Sequence, residues 1–221
     1  NSDTLDLSRR VVRYRSDEGH TGTLQWVPFA VTADLDSTSF AHGMRDKAGT
    51  QPWTYDVFTM RAVRWIDHPA NLAGAKWLEY GSGPDSLFEF VPTRVIWVKA
   101  KERSTINFGR ATTLSLKDTV SIVLAPGEWT DWALPYLFKV KLRDVLRATG
   151  PDGDSIEFYA WSGKQNSEGE QSYSCQPLFV GNVPGLDENR DSIEFVGGQH
   201  QAYTMFNPLN RPIELRIPPI P

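Results

Sequence analysis

From Gly22 onward the chain alternates short apolar-rich runs with turn residues, a pattern that predicts strands. Leu24, Trp26 and Val27 through Val31 form one run. In a second, Tyr55, Val57, Thr59 and Arg61 alternate with Phe58, Met60, Ala62 and Val63. Further runs cover Leu87–Lys101 with a break at Pro92, Thr105–Phe108, Thr119–Leu124, Tyr136–Leu142, Ser155–Trp161, Tyr173–Val180, Ile193–Val196 and Tyr203–Phe206. Clusters such as Gly81-Ser82-Gly83-Pro84-Asp85, Ala125-Pro126-Gly127, Gly150-Pro151-Asp152-Gly153-Asp154 and Asn182-Val183-Pro184-Gly185 separate them and read as turns. Many short strands without amphipathic helices between them predict an all-β fold, an antiparallel sandwich or jelly roll rather than a parallel α/β sheet. Lys139–Ala148 is the awkward stretch, since it also fits a helix.

The two ends differ from this texture. Leu5, Leu7, Val11, Val12 and Tyr14 are loosely spaced after a possible N-cap at Ser2 or Asp3, which fits a short helix or an extended arm. After Asn207 the chain carries Pro208, Pro212, Pro218, Pro219 and Pro221, so an extended tail is expected rather than a central strand or helix. The division is therefore an arm over 1–21, a sandwich over 22–206 and a tail over 207–221. Ile213, Leu215, Ile217 and Ile220 give the tail apolar side chains with little of its own to bury them, so it is expected to lie along the domain or a neighbouring subunit. Asp34–Pro52 and Ser162–Ser172 read as long loops of the kind that bind, pack on neighbours or stay disordered.

Composition narrows the function classes. At 221 residues, with 40% hydrophobic and 12% aromatic residues, the chain can bury a sizeable core, and one large β-domain is the natural reading. A formal charge of -4 argues against broad electrostatic binding to nucleic acid. The cluster Arg9, Arg10, Arg13 and Arg15 allows at most a local contact with a polyanion, and a solvated face explains it as well. Cys175 is the single cysteine, so an internal disulfide is impossible, and no Asn-x-Ser/Thr acceptor occurs. No apolar run approaches the roughly 20 residues of a membrane-spanning helix, and none at the start reads as a signal peptide. The chain begins at Asn1 rather than Met, as expected of a polypeptide cut from a precursor or trimmed at its start.

Candidate chemistry is sparse. The segment Asp154-Ser155-Ile156-Glu157-Phe158 recurs as Asp191-Ser192-Ile193-Glu194-Phe195, and with no match around the copies it reads as coincidence. Glu157 and Glu194 would suit a retaining glycosidase, with Tyr159 and Trp161 lining a groove. Strand alternation, however, places Glu157 on the wet face if Ile156 and Phe158 are core. His20, His42, His68 and His200 lack metal-ligand spacing, and Asp152-Gly153-Asp154 is an ordinary turn rather than a calcium loop. Nucleophile-elbow, phosphate-loop and dinucleotide motifs are absent, and Cys175 reads as a small core residue. No catalytic, metal or cofactor site is therefore expected. Eight tryptophans point either to sugar stacking, in a carbohydrate-binding or sugar-cleaving sandwich, or to subunit contacts, where tryptophan is enriched. Trp129 and Trp132, in a loop-like setting after Pro126-Gly127, stand out.

Three segments resemble capsid proteins of picorna-like viruses, especially insect and marine ones. Leu5-Asp6-Leu7-Ser8-Arg9-Arg10-Val11-Val12-Arg13-Tyr14 is similar to the segment that precedes their jelly roll. Thr59-Met60-Arg61-Ala62-Val63-Arg64-Trp65 resembles a strand with two arginines around a small residue. Gly153-Asp154-Ser155-Ile156-Glu157-Phe158 is similar to a Gly-Asp-Asp-Phe-x-Phe strand, with Ser155 in place of the second aspartate and a longer sequence after it. The resemblance implies an eight-stranded jelly roll, assembly with sister capsid proteins into an icosahedral shell, enclosure of single-stranded RNA with limited contact to it, and a virion assembled in the host cytoplasm. It leaves the host receptor open. On this reading Leu5, Leu7, Tyr14, Trp129, Trp132, Ile213, Leu215, Ile217 and Ile220 are the expected subunit-contact residues.

Overall fold

A computed structural model describes residues 4–11, 26–36, 38–45, 55–58, 60–66, 77–100, 104–161, 175–180, 190–198 and 201–220. Their first half holds β1 (Thr4–Val11), β2 (Val27–Phe29), β3 (Ala33–Leu35), the single-turn α1 (Phe40–Gly43), β4 (Met44–Arg45), β5 (Met60–Trp65), β6 (Trp77–Glu79), β7 (Ile96–Ala100) and β8 (Ser104–Thr113). The second half holds β9 (Val120–Leu124), β10 (Trp129–Trp132), β11 (Val140–Lys141), α2 (Leu142–Thr149), β12 (Glu157–Trp161), β13 (Cys175–Phe179), β14 (Glu194–Phe195), β15 (Tyr203–Phe206) and β16 (Ile213–Ile217). The architecture is thus several antiparallel sheets with one two-turn helix, and no helix among the described residues is long and apolar enough to cross a membrane.

Pairing stays within each half. In the first, β2-β7-β5-β6 form one sheet, while β8 pairs with β1 on one side and with β3 and β4 on the other. In the second, β10-β15-β12-β13 form a sheet, and β16-β9 and β11-β14 are two-stranded ribbons. Each half buries its own core. Val27, Phe29, Met60, Ala62, Ile96 and Val98 pack towards Ala33, Leu35 and Ala111, and a ring cluster of Phe40, Tyr80, Phe88 and Phe90 closes that core. The second core gathers Trp132, Phe158, Phe179, Tyr203 and Met205 from the four-stranded sheet with Leu124, Leu215 and Ile217 from the β9/β16 ribbon. Leu142, Val145 and Leu146 of α2 complete it.

The awkward Lys139–Ala148 stretch resolves into two strand residues and a helix. Positions 142, 145 and 146 recur at the helical spacing of three and four, so one face of α2 is apolar and buried. Gly150 ends it at φ 87 with its N–H donating to the Leu146 carbonyl, a conformation that favours glycine.

At each end the structure takes one of the two expected alternatives. The arm is extended rather than helical: β1 runs antiparallel to β8 from Thr4 opposite Thr112 to Val11 opposite Ser104. The tail lies along its own domain. Ile213-Glu214-Leu215-Arg216-Ile217 alternates between buried and exposed residues and pairs with β9, from Ile213 opposite Leu124 to Ile217 opposite Val120. Pro212 and Pro218 bound this strand without interrupting it, so no ladder donor is lost inside it. Asn207, fully buried, anchors the tail's start. Its Nδ2 lies within bonding distance of the Leu124, Ala125 and Arg211 carbonyls, and its Oδ1 accepts from the Leu209 N–H.

Candidate functional site

Alternation along β5 sends Met60 and Ala62 inward and Arg61, Val63 and Trp65 outward. The cross-strand register carries that outer face sideways: Val63 sits opposite Trp97 and Glu79, Trp65 opposite Trp77, and Arg61 opposite Lys99. In the second four-stranded sheet Phe158 and Met205 face the core, so Trp129, Asp131, Glu157, Tyr159 and Trp161 fall on its outer face. The two outer faces meet. Trp97 packs edge-on against Trp161 at 5.8 Å and donates its indole N–H to Asp131 at 2.8 Å, and the Trp65 indole donates to the Trp129 carbonyl at 2.7 Å. Small residues, Ala30, Ala133 and Ala202, let the sheets approach around Trp97. This seam explains why Ile96, Trp97 and Val98 are all buried: one side of β7 faces the first core and the other faces the seam.

Six of the eight tryptophans, Trp26, Trp65, Trp77, Trp97, Trp129 and Trp161, lie on these joined faces. A cleft of about 420 Å³ opens there, lined among the described residues by Trp26, Arg61, Val63, Trp77 and Trp97. That volume falls within the usual range of small-ligand sites. Trp77 makes edge-to-face contacts with Trp65 at 5.1 Å and Trp97 at 6.5 Å, yet 41% of it remains exposed.

The polar side of the cleft is preorganised. Arg61 donates through Nε and Nη2 to both oxygens of Glu79, each at 2.8 Å, and the Tyr55 hydroxyl donates to Glu79 Oε1 at 2.9 Å. The Arg61 hydrogen bonds are the main cause that holds the Glu79 carboxyl below its ordinary value. Burial, with the Glu79 bond adding to it, pushes Tyr55 up to about 12. Arg61 and Lys99 both lie over the Trp26 ring, at 5.9 and 5.8 Å from its centre. Of these two cations Arg61 is engaged by Glu79, while a second carboxylate, Asp131, is held under the cleft by the Trp97 indole.

The carboxylates singled out by sequence are not assembled into a pair. Glu157 lies on the outer face of β12 and accepts from the Tyr159 hydroxyl at 2.8 Å. Glu194 belongs to the β11/β14 ribbon and is ion-paired with Lys139 at 2.7 Å, the contact that lowers its pKa. The repeated segments do meet in space: Phe158 and Phe195 touch in the second core at 5.4 Å, and Arg190, beside the second copy, pairs with Asp154 of the first at 3.1 Å. A second cleft of about 450 Å³, beside the C-terminal end of α2, combines Arg143, Arg147 and Arg190 with Asp154 and Asp191 and reads as a surface ion network.

The nine residues expected at subunit contacts divide. Trp129 is 37% exposed and Ile220 is exposed, so both have surface to offer. Trp132, three residues along the same strand, is 0% exposed on the opposite face, and Ile213, Leu215 and Ile217 are buried in the chain's own core. Those four have no surface left for a neighbour, which corrects the expectation for them. The loop-like setting expected for Trp129 and Trp132 is likewise a strand, β10. Leu5 and Leu7 belong to β1, whose side chains lie outside the description, and Tyr14 lies outside the described residues altogether. The same holds for His20, His68, His200 and the side chains of His42 and Cys175. Among the described residues no three His, Cys, Asp or Glu side chains gather as a metal-holding group. No family model, curated protein or solved structure matches the chain.

Sequence reasoning missed the seam because alternation defines faces without saying which faces meet. The signal that was available is the spread of tryptophan over successive strands, Trp65 and Trp77 on adjoining ones and Trp97 in a run apolar on both faces.

Proposed function

We propose that this protein is a structural subunit of a picorna-like viral coat. It joins sister capsid proteins in an icosahedral shell around single-stranded RNA, with its strands completing a jelly-roll sandwich. The observation that carries the reading is the outer edge of β9. Among the described residues this strand pairs on one side alone, with β16, and it bears Val123, 66% exposed, close in sequence to Leu116, 62% exposed. An open edge with apolar side chains is a template for a strand or side chain from another chain. The Gly153–Phe158 segment, which resembles a capsid strand in sequence, adds support in that its Ile156 and Phe158 are buried in the second core. In the Arg61-Ala62-Val63-Arg64 segment, Ala62 faces the first core, while Arg61 binds Glu79 and the Arg64 Nη1 donates to the Leu87 carbonyl at 2.8 Å.

Sedimentation and negative-stain electron microscopy of the purified chain test this reading. Concentration-dependent association into closed particles or regular oligomers is expected, and V123K with L116K is expected to weaken it at least ~10-fold, about 1.4 kcal/mol of contact energy. A monomer at every concentration, unchanged by the double substitution, would overturn the proposal.

A further inference from the structure

We propose that the cleft between Trp26, Trp77 and Trp97 is a binding site for an oligosaccharide that ends in a carboxylate-bearing sugar. The inference does not rest on the shell reading, since the cleft and the β9 edge belong to different sheets.

The walls and the rim ask for different things of a ligand, and a sugar ring supplies both. Trp26, Val63, Trp77 and Trp97 offer apolar ring and methyl surface, which suits the C–H face of a pyranose. Trp77 is already held by Trp65 and Trp97, so its exposed surface engages a ligand with little loss of side-chain freedom. At the rim, Arg61 spends Nε and Nη2 on Glu79, and among the described residues its Nη1 is left to donate. Glu79 is fixed from behind by Tyr55, so donor and acceptor stand side by side in a set geometry, as neighbouring sugar hydroxyls require.

Charge selects the acidic sugar. Glu79 is matched by Arg61, whereas the Lys99 ammonium lies over the Trp26 ring and forms no ion pair with another described residue. An ammonium in that position favours a carboxylate beside the ring. A cationic ligand is disfavoured because two cations already lie over Trp26. A nucleic-acid strand needs several basic contacts to displace its counterions, and this patch has two cations, one of them engaged by Glu79, on a chain of net charge -4. Cleavage of the sugar is not implied, because the carboxylates next to the lining residues are engaged, Glu79 by Arg61 and Tyr55 and Asp131 by the Trp97 indole.

Quenching of tryptophan fluorescence on titration with 3′-sialyllactose, and with lactose as the neutral counterpart, tests the site. The acidic trisaccharide is expected to bind in the range of roughly 0.1–1 mM, ~10-fold tighter than lactose. Trp77→Ala should weaken both sugars at least ~10-fold, while Lys99→Gln should remove the preference for the acid and leave lactose unchanged. Trp129→Ala, across the seam and outside the cleft, should change neither, and circular dichroism checks that each variant is folded. No saturable quenching by either sugar, binding indifferent to Trp77→Ala, or a preference for lactose would each overturn the proposal. So would binding of a single-stranded RNA oligomer at this cleft in place of the sugar. Particle formation is scored separately by sedimentation, so the two proposals fail independently.

Discussion

The C-terminal core and the aromatic seam are built from the same residue types, and one strand serves both. Trp132 faces the core from β10 and is sealed by Phe195 at 4.9 Å and Tyr203 at 5.2 Å. Trp129, on the other face of that strand, packs against Tyr159 and Phe206 and still reaches solvent. The core is closed because it has a lid on each open side, α2 and the β16 strand. Among the described residues the seam has two walls and no lid. Aromatic content therefore says little about burial; what decides is whether a third element covers the face. In the core such coverage goes far enough to leave the Trp132 indole N–H without a hydrogen-bond partner among the described residues, whereas the Trp65 and Trp97 indoles in the seam each find one.

Removing the lid is the strongest way to break this contrast. Deletion of residues 212–220 strips Ile213, Leu215 and Ile217 from the core and leaves β9 without its pairing strand. At about 1.5–3 kcal/mol for each buried aliphatic side chain, the loss is comparable with the roughly 5–15 kcal/mol that holds a whole domain together. The truncated chain is expected to lose its cooperative thermal transition, while the full chain keeps one. A truncated chain that melts like the full-length protein would mean that the tail is an appendage after all.

A smaller break targets the anchor of that lid. Asn207→Leu keeps the side-chain volume but removes the bonds to the Leu124, Ala125 and Arg211 carbonyls and to the Leu209 N–H, at a position with no access to water. Buried groups left unpaired cost about 1–3 kcal/mol. Urea unfolding should show a midpoint lowered accordingly, with an unchanged slope, whereas Asn210→Leu, at an exposed position on the same turn, should shift it little.

The tail also shows what the sequence made legible and what it hid. Strands such as β9, β12 and β15 could be read nearly to the residue, because their apolar positions alternate between clear turn signals. The alternation of Ile213, Leu215 and Ile217 is equally plain, yet the surrounding prolines left open whether the tail lies along the domain or along a neighbour. Whether a proline interrupts a strand or bounds it depends on where the ladder needs donors, and that depends on the partner strand. The arm was hidden for the same reason, since the pairing of β1 with β8 joins segments about a hundred positions apart in the chain. The cleft was harder still. Arg61, Glu79 and Lys99 occupy three strands, and only the register brings them around Trp26. Glu157 and Glu194 attracted notice through a shared five-residue context that has no bearing on where their carboxylates point.

The smallest effect tests the open side of the contrast, through the Arg61–Glu79 pair. Its side chains are 49% and 29% exposed, so water screens the pair and its worth is about 0.5–1 kcal/mol, as for other surface pairs. Glu79 has a lowered pKa in the folded chain, chiefly through its Arg61 hydrogen bonds. The folded state therefore holds the carboxylate more favourably than the unfolded state does. That contribution is fully present above the ordinary carboxylate pKa and is lost as pH falls through the folded one. Arg61 stays charged throughout, so the titration belongs to Glu79. Comparison of the native chain with Glu79→Gln cancels the other acidic groups, including Glu194 and Glu214. The variant should be less stable by about 0.5–1 kcal/mol near neutral pH, and the gap should close as pH falls below the ordinary carboxylate range and the native carboxylate takes up its proton. Moderate salt should narrow it at neutral pH. A gap that does not narrow at any acid pH where the fold persists would assign the loss to side-chain packing instead of charge, and the rim of the cleft would then owe its order to the Tyr55 hydrogen bond rather than to the ion pair.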